Sequence, residues 1–174
     1  MKVLIFGGNS FTGRHFNWGD DHIVRHLSRQ DLQFNIESSI AVPRIAKLMR
    51  EFEPNGVINL IGLSATKLND PFGYLQSNYN VVANILAGCE ASGVKLRKFI
   101  HASSAHVYGK LESSEIDETA PIQPTSLYAK TKLMSELLTN LYSDKFPIIV
   151  TRPFNYTGIG QSEHNFLIPK LVSA

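Results

Sequence analysis

Two short apolar runs set the kind of sheet this chain can build. Lys2–Phe6 (KVLIF) and Val57–Ile61 (VINLI) are both followed directly by glycine. A continuous apolar run of this length, without polar alternation, reads as a strand buried on both faces. Two further strands are expected at Phe99–Ala102 and Pro147–Arg152. Between them lie stretches of helical period. Ile45, Leu48, Met49 and Phe52 share one helix face, with Ser38 or Ser39 as cap, Pro43 in or near the first turn, and Pro54-Asn55-Gly56 as the stop. Asn69-Asp70-Pro71 starts a loop, and a long helix from about Phe72 to Ala91 turns Val81, Val82, Ile85 and Leu86 inward. A third helix, Tyr128–Leu141, is expected to bury Met134, Leu137, Leu138 and Leu141. Alternation of strand and helix implies an α/β fold with a parallel, doubly wound sheet and right-handed crossovers.

The chain has 174 residues, 43% of them hydrophobic and 18% charged. That suits one globular domain, here all of residues 1–174. The net charge is only +2, and Lys and Arg are scattered, which argues against nucleic acid as a partner. Cys89 is the sole cysteine, so it forms no internal disulfide and is expected as a small buried hydrophobe. The histidines lack metal-site spacing, so a structural zinc is not expected. No apolar run is long enough for a signal peptide or a membrane span, which leaves a cytoplasmic location as the expectation.

The first crossover is unusually short. Only Arg14–Asp21 separates Gly13 from the next strand candidate, His22–Ser28, and Trp18–Asp21 reads as a turn. The first helix is therefore expected to be short or nearly absent. Asp31–Ile36 looks like a short third strand.

Chemistry-bearing residues gather after the strands. Gly7, Ser10 and Gly13 place a small residue at every third position beyond the first strand, with Ser where glycine is more usual. Such a turn lets backbone approach a pyrophosphate. Leu27-Ser28-Arg29 closes the second strand without an acid. Arg29 suits the 2′-phosphate of NADP, while Asp31 close by keeps NAD open. Ser103-Ser104 follows a later strand, and Tyr128 and Lys132 share a helix face four residues apart. A phenol titrates near ~10, and a fixed ammonium beside it favours the phenolate and lowers that value. Tyr128 lies 24 residues beyond Ser104.

Taken together, these motifs resemble the extended short-chain dehydrogenases/reductases, the nucleotide-sugar epimerase, dehydratase and reductase group. The resemblance spans nearly the whole chain. It includes Gly7-x-x-Ser10-x-x-Gly13, Asp31-Leu32, Val57–Gly62, Asn80-Val81, Ser103-Ser104-x-x-Val107-Tyr108-Gly109, Tyr128-x-x-x-Lys132 and Arg152–Asn155. It implies a Rossmann-type fold. It also implies that Ser104 bonds the reacting oxygen, that Tyr128 is the acid-base group, and that Lys132 holds the nicotinamide ribose. Gly7, Ser10, Phe11, Gly13, Ser28, Arg29, Leu60 and Gly62 would contact the cofactor, NADP or else NAD. Asp31 and Leu32 look like adenine contacts. Ser64 and Asn155 would meet the substrate, and Asn80 would bond backbone within the central helix.

Two departures narrow the activity. Dehydratases of this group usually carry an acid just after the catalytic Ser/Thr, where this chain has Ala105 and His106. The run from Arg152 to Gln161, then Phe166–Lys170, is similar to GDP-4-keto-6-deoxymannose reductases and GDP-6-deoxytalose dehydrogenases. A 4-keto reductase of a GDP-6-deoxyhexose is the expectation. A 4-epimerase with retained NAD, or a non-catalytic cofactor-binding protein, are the alternatives. Glu112–Pro124 reads as a polar rim or lid. Members of the group carry a C-terminal substrate lobe, of which residues 156–174 would be only the start, so a truncated chain is expected. Relatives often dimerise through the two long helices, here around Phe72–Ala91 and Tyr128–Leu141.

Overall fold

A computed structural model of the chain describes residues 1–16, 19, 21–63, 70–110, 115–161 and 167–172. Five parallel strands form one sheet: β1 (Lys2–Phe6), β2 (Ile23–Leu27), β3 (Gly56–Asn59), β4 (Lys98–Ala102) and β5 (Ile148–Thr151). Their order is β2-β1-β3-β4-β5. The chain leaves β1 toward one side for β2 and returns to its other side for β3, so right-handed crossovers run over opposite faces. This is a Rossmann-type α/β sheet, and its switch point lies between β1 and β3.

Alternation along the buried strands divides the core in two. Leu4, Phe6, Val57 and Phe99 face α2 (Ala41–Phe52) and α4 (Val81–Ser92), where Ile45, Met49, Val81, Val82, Ile85 and Leu86 are buried as the helical period predicts. Cys89 is buried among them, and burial pushes its thiol up to about 12. Val3, Ile5 and Ile58 face the other way and form a much smaller cluster with the partly buried Phe16, Val24, Leu60 and Ile100. The thin cover on that face follows from the short first crossover. Its described helical content is one 3₁₀ turn, Gly13–His15.

The structure corrects several expectations. Asp31–Ile36 is not a strand. Ser28 instead caps a single helical turn, α1 (Arg29–Leu32), through a capping box with Asp31, and the short polar side chains there compete better for local backbone groups than for a ladder. Leu32 and Ile36 then anchor the segment in the core. Neither Ser38 nor Ser39 caps α2. Its N-cap is Ile40, with no side-chain bond, while the Ser38 carbonyl accepts from the amide of Ala41. Asp70-Pro71 does not start a loop but a helix. Asp70 accepts from the amide of Gly73, and Pro71 opens α3 (Pro71–Leu75), as its preset φ favours. A π turn over Gln76–Asn80 joins α3 to α4.

The largest correction concerns α5 (Leu127–Asn140). Met134, Leu137 and Leu141 are exposed, Leu141 by 75%. Only Leu138 packs against the core. The inward face is Ala129, Thr131, Lys132, Ser135, Glu136 and Thr139. Period alone locates a helix face, and here the buried one is polar.

Helix α2 ends at Glu53 in the left-handed region, φ 49°. A side chain there costs roughly 1 kcal/mol that glycine avoids. Glu53→Gly is expected to raise the melting temperature by about 2–4 °C, read by thermal denaturation at neutral pH.

Candidate active site

Because all strands run parallel, their carboxyl ends lie along one edge. That edge carries the glycine turn after β1, Ser28-Arg29 after β2, Leu60–Gly62 after β3, Ser103-Ser104 after β4 and Arg152–Asn155 after β5. A cavity of about 220 Å³ opens at the switch point. Gly7, Asn9 and Ser10 form one wall, Ser28 and Arg29 another, and Leu60–Leu63 with Ser77 the third.

The turn is held by its own backbone. The amides of Gly7 and Gly8 donate to the Leu27 carbonyl at 2.9 and 3.0 Å, and that of Ser10 to the Gly7 carbonyl at 2.9 Å. Gly7 has φ 86°, and a Cβ there would press on Leu60 and Ile61 at 3.1 Å. A Cβ on Gly13 would sit 2.5 Å from the Gly7 carbonyl oxygen. The serine of the motif has its own task, since the Ser10 hydroxyl accepts from the Gly13 amide at 3.0 Å and closes the turn. A wall of glycine and short polar residues beside an apolar strand end fits an adenosine diphosphate moiety.

The remaining sequence-predicted residues take varied places. Phe11 stacks on Tyr156, ring centroids 6.0 Å apart. Asp31 is committed to Ser28, taking its amide at 2.7 Å and its hydroxyl at 2.5 Å, bonds that lower its carboxyl pKa. The Leu32 side chain is core, so an adenine contact through that side chain is ruled out by burial. Arg29 is not a free phosphate ligand, because it is paired with Glu37 at 2.8 Å. Asn155 is exposed. Ser64 lies outside the described residues, as do residues 112–114 of the polar loop. The buried helix asparagines are Asn78 and Asn84, while Asn80 is half-buried. In Asn78 the two ends of the amide are both used. Its Oδ1 accepts from the Leu63 amide at 2.8 Å, and its Nδ2 donates to Thr131 Oγ1 at 3.0 Å.

Ser104, Tyr128 and Lys132 come together beyond β4. Ser104 and Lys132 are buried, and Tyr128 lies between the ring of Tyr74 at 6.1 Å and the edge of His106 at 5.6 Å. Burial raises the phenol pKa of Tyr128, with a smaller lowering from the side chain of Ser104 and a further rise from Tyr156 and Tyr74. The sequence-based expectation that Lys132 lowers this value is corrected by where its ammonium goes. Lys132 Nζ donates to the Ala102 carbonyl at 2.9 Å and abuts Gly62. Burial lowers its own pKa to about 8, against a smaller opposing effect of Glu136.

A hydrogen-bonded chain seats this lysine. The Ile61 amide donates to Asn59 Oδ1 at 3.1 Å, which orients the amide so that Nδ2 donates to His101 Nδ1 at 3.2 Å. His101 Nε2–H then donates to Ser135 Oγ at 2.9 Å, and Ser135 donates to the Lys132 carbonyl at 2.7 Å. Burial, then the Lys132 charge, holds His101 down to about 3, so it is neutral. One residue on, Glu136 takes the Ser103 hydroxyl and two arms of Arg152, the closer at 2.8 Å. Arg152 also donates to the Tyr108 hydroxyl at 3.0 Å.

Sequence reasoning missed Tyr156. Its hydroxyl shares a 2.6 Å hydrogen bond with Thr12, so the stretch after β5 reaches back to the glycine turn. Arg14 adds a bond to the Gly160 carbonyl at 3.4 Å. Nothing in the spacing signals this contact between residues 144 apart.

The Lys132 shift has a consequence for stability. Between about 8 and 10.5 the unfolded chain holds a proton on Lys132 that the folded chain has released, so this group's cost is full below that window and is relieved as pH rises through it. Lys132→Met removes the cost. The stability of the variant relative to the native chain is expected to be highest near pH 7 and to decline between about pH 8 and 10.5, measured by urea denaturation across that range.

Comparison with known proteins accords with this arrangement. Residues 3–174 match the NAD dependent epimerase/dehydratase family. The chain is 27% identical over its full length to a GDP-6-deoxy-D-talose 4-dehydrogenase of Aggregatibacter actinomycetemcomitans and spans 59% of that protein. Among solved structures, RMD from Pseudomonas aeruginosa complexed with NADPH is 25% identical, with a TM-score of 0.77 over 94% of this chain and 57% of that one. The UDP-glucose 4-epimerase of Thermus thermophilus, in complex with NAD, shares the fold at 24% identity and a TM-score of 0.78, covering 95% of this chain and 58% of that one. A parallel sheet with its glycine turn at the switch point, a serine beyond β4 and a Tyr-x-x-x-Lys helix beside it place the chain in the NAD dependent epimerase/dehydratase family.

Proposed function

We propose that the chain is the dinucleotide-binding part of a nucleotide-sugar oxidoreductase, one that reduces the 4-keto group of a GDP-linked 6-deoxyhexose. The observation that carries this reading is the convergence of Ser104, Tyr128 and Lys132 beyond β4, beside a cavity walled by the glycine turn. Gly7, Ser10 and Gly62 would face the diphosphate, and Ser28 and Arg29 the adenosine ribose. When bound, a nicotinamide dinucleotide supplies or accepts hydride.

The chain's own residues handle the proton. Burial raises the pKa of Tyr128, so its phenol is protonated at neutral pH and able to donate to an oxygen that gains charge. Ser104 would bond the same oxygen, an interaction that strengthens as charge develops. Lys132 contributes a positive charge in a buried setting and is itself tunable near pH 8. Water elimination is disfavoured, since the residues after Ser104 carry no carboxylate and the buried Glu136 is committed to Ser103 and Arg152. The pairing of Arg29 with Glu37 favours a second reading, a 4-epimerase that retains NAD. Purified protein carrying bound NAD without consuming NADPH would select it.

The relatives' greater length supports a further substrate lobe, beginning near residue 156, in the whole protein. Exposed Phe72, Met134, Leu137 and Leu141 on the long helices support a homodimer through them. Among the described residues no helix is long and apolar enough to cross a membrane.

Tyr128→Phe is expected to lower turnover by about 10²–10⁴-fold, the usual worth of a general acid, in the whole protein. Dinucleotide affinity should stay within about twofold, an effect on the order of RT ln 2. Turnover kept near the native rate would sink the mechanism.

A further inference from the structure

At the ribose end of the cavity, Arg29 is held by an acid that the family motifs do not mark. Arg29 Nη2 donates to Glu37 Oε1 at 2.8 Å, and the Ser77 hydroxyl donates to the same oxygen at 3.3 Å. Arg29 and Ser77 both line the cavity. The two charges are not equally free. The Arg29 side chain is 72% exposed and that of Glu37 only 20%. Glu37 is also placed from both flanks. Asn84 Nδ2, on α4, donates to the carbonyls of Ile36 at 2.8 Å and Ser38 at 3.0 Å, and the Glu37 amide donates to Asn35 Oδ1 at 2.9 Å. With its backbone held and its carboxylate mostly buried and bonded by Ser77, Glu37 is the more fixed partner, and the exposed arginine is the one that can leave.

We propose that Glu37 is the specificity-determining residue for the adenosine ribose, setting how strongly this site distinguishes a 2′-hydroxyl from a 2′-phosphate. The inference rests on the dinucleotide reading above. A 2′-phosphate must draw Arg29 away from Glu37 and then sit close to a carboxylate that cannot follow, a like-charge cost added to a lost ion pair. A 2′-hydroxyl leaves the pair intact and can donate to the carboxylate. Asp31 is turned into its own capping box, one carboxylate oxygen taking both the amide and the hydroxyl of Ser28.

The test is calorimetric titration of the chain with NADH and with NADPH, for the native protein, Glu37→Gln, Arg29→Gln and the double variant, at low and moderate salt. Glu37→Gln is expected to shift the affinity ratio toward NADPH by about two- to fivefold, the range of an exposed charge contact. The effect of Glu37→Gln should be smaller in the Arg29→Gln background, where only the like-charge part is left, and shrink as salt is added. Binding of both dinucleotides with an unmoved ratio in Glu37→Gln would overturn the role of Glu37 while leaving the dinucleotide reading standing. Binding of neither by the native chain would overturn that reading and this inference with it. Thermal melts of each variant separate a changed ratio from a changed fold.

Discussion

Helix α5 is seated on the sheet by hydrogen bonds rather than by apolar contact, and the site depends on that. A buried polar group left without a partner costs on the order of 1–3 kcal/mol. The underside of α5 presents Thr131, Lys132, Ser135, Glu136 and Thr139, all buried, so the helix has few ways to sit. The Asn59–His101–Ser135 chain ties it to β3 and β4 and ends on the carbonyl of Lys132. Thr131 closes the opposite side, accepting from Asn78 and donating to the carbonyl of Tyr128. Apolar packing tolerates small slides, whereas a directional network of this kind does not. The helix therefore delivers Tyr128 and Lys132 in one register.

A second anchor fixes the neighbouring strand ends. Glu136 is buried and bonded to Ser103, and Arg152, stacked 5.0 Å from the ring of Tyr108, meets it with two arms. Burying an ion pair costs desolvation that good geometry must offset, so such a pair serves position more surely than stability. Here it joins α5, the segment after β4 and the segment after β5. Ser104 follows Ser103 directly, so the hydroxyl proposed for catalysis inherits that placement.

Much of this was legible from residues alone, and the failures have physical reasons. KVLIF and VINLI announced buried parallel strands because no exposed strand needs such continuous apolarity. The short first crossover was legible as a count of residues, and the thin second core follows from it. The face of α5 was misread because Leu137 and Leu141 suggest a core stripe, while a serine and a threonine rarely do. The strand expected at Asp31–Ile36 failed because a capping box, a local contest between Ser28 and Asp31, outcompeted the ladder. Contacts such as Thr12 with Tyr156, or Arg29 with Glu37, join loops through the tertiary fold and leave no periodic trace. Of the residues expected at the cofactor, Gly7, Ser10, Ser28, Arg29, Leu60 and Gly62 line the cavity, while Gly13 packs on the turn's own backbone and Phe11 stacks on Tyr156. Leu32, which lies past a strand end, went to the core.

Gly62 acts as a spacer of zero thickness between two distant parts of the chain. A methyl group built there would stand 2.6 Å from Lys132 Nζ and 3.1 Å from Asn78 Oδ1. Neither neighbour has room to yield. The ammonium is held by the Ala102 carbonyl, and the amide by Leu63 and Thr131. The loop after β3 thus gauges how near the lysine approaches the switch point. Divergence at this single position would be felt first in the electrostatics of a helix that begins more than sixty residues later.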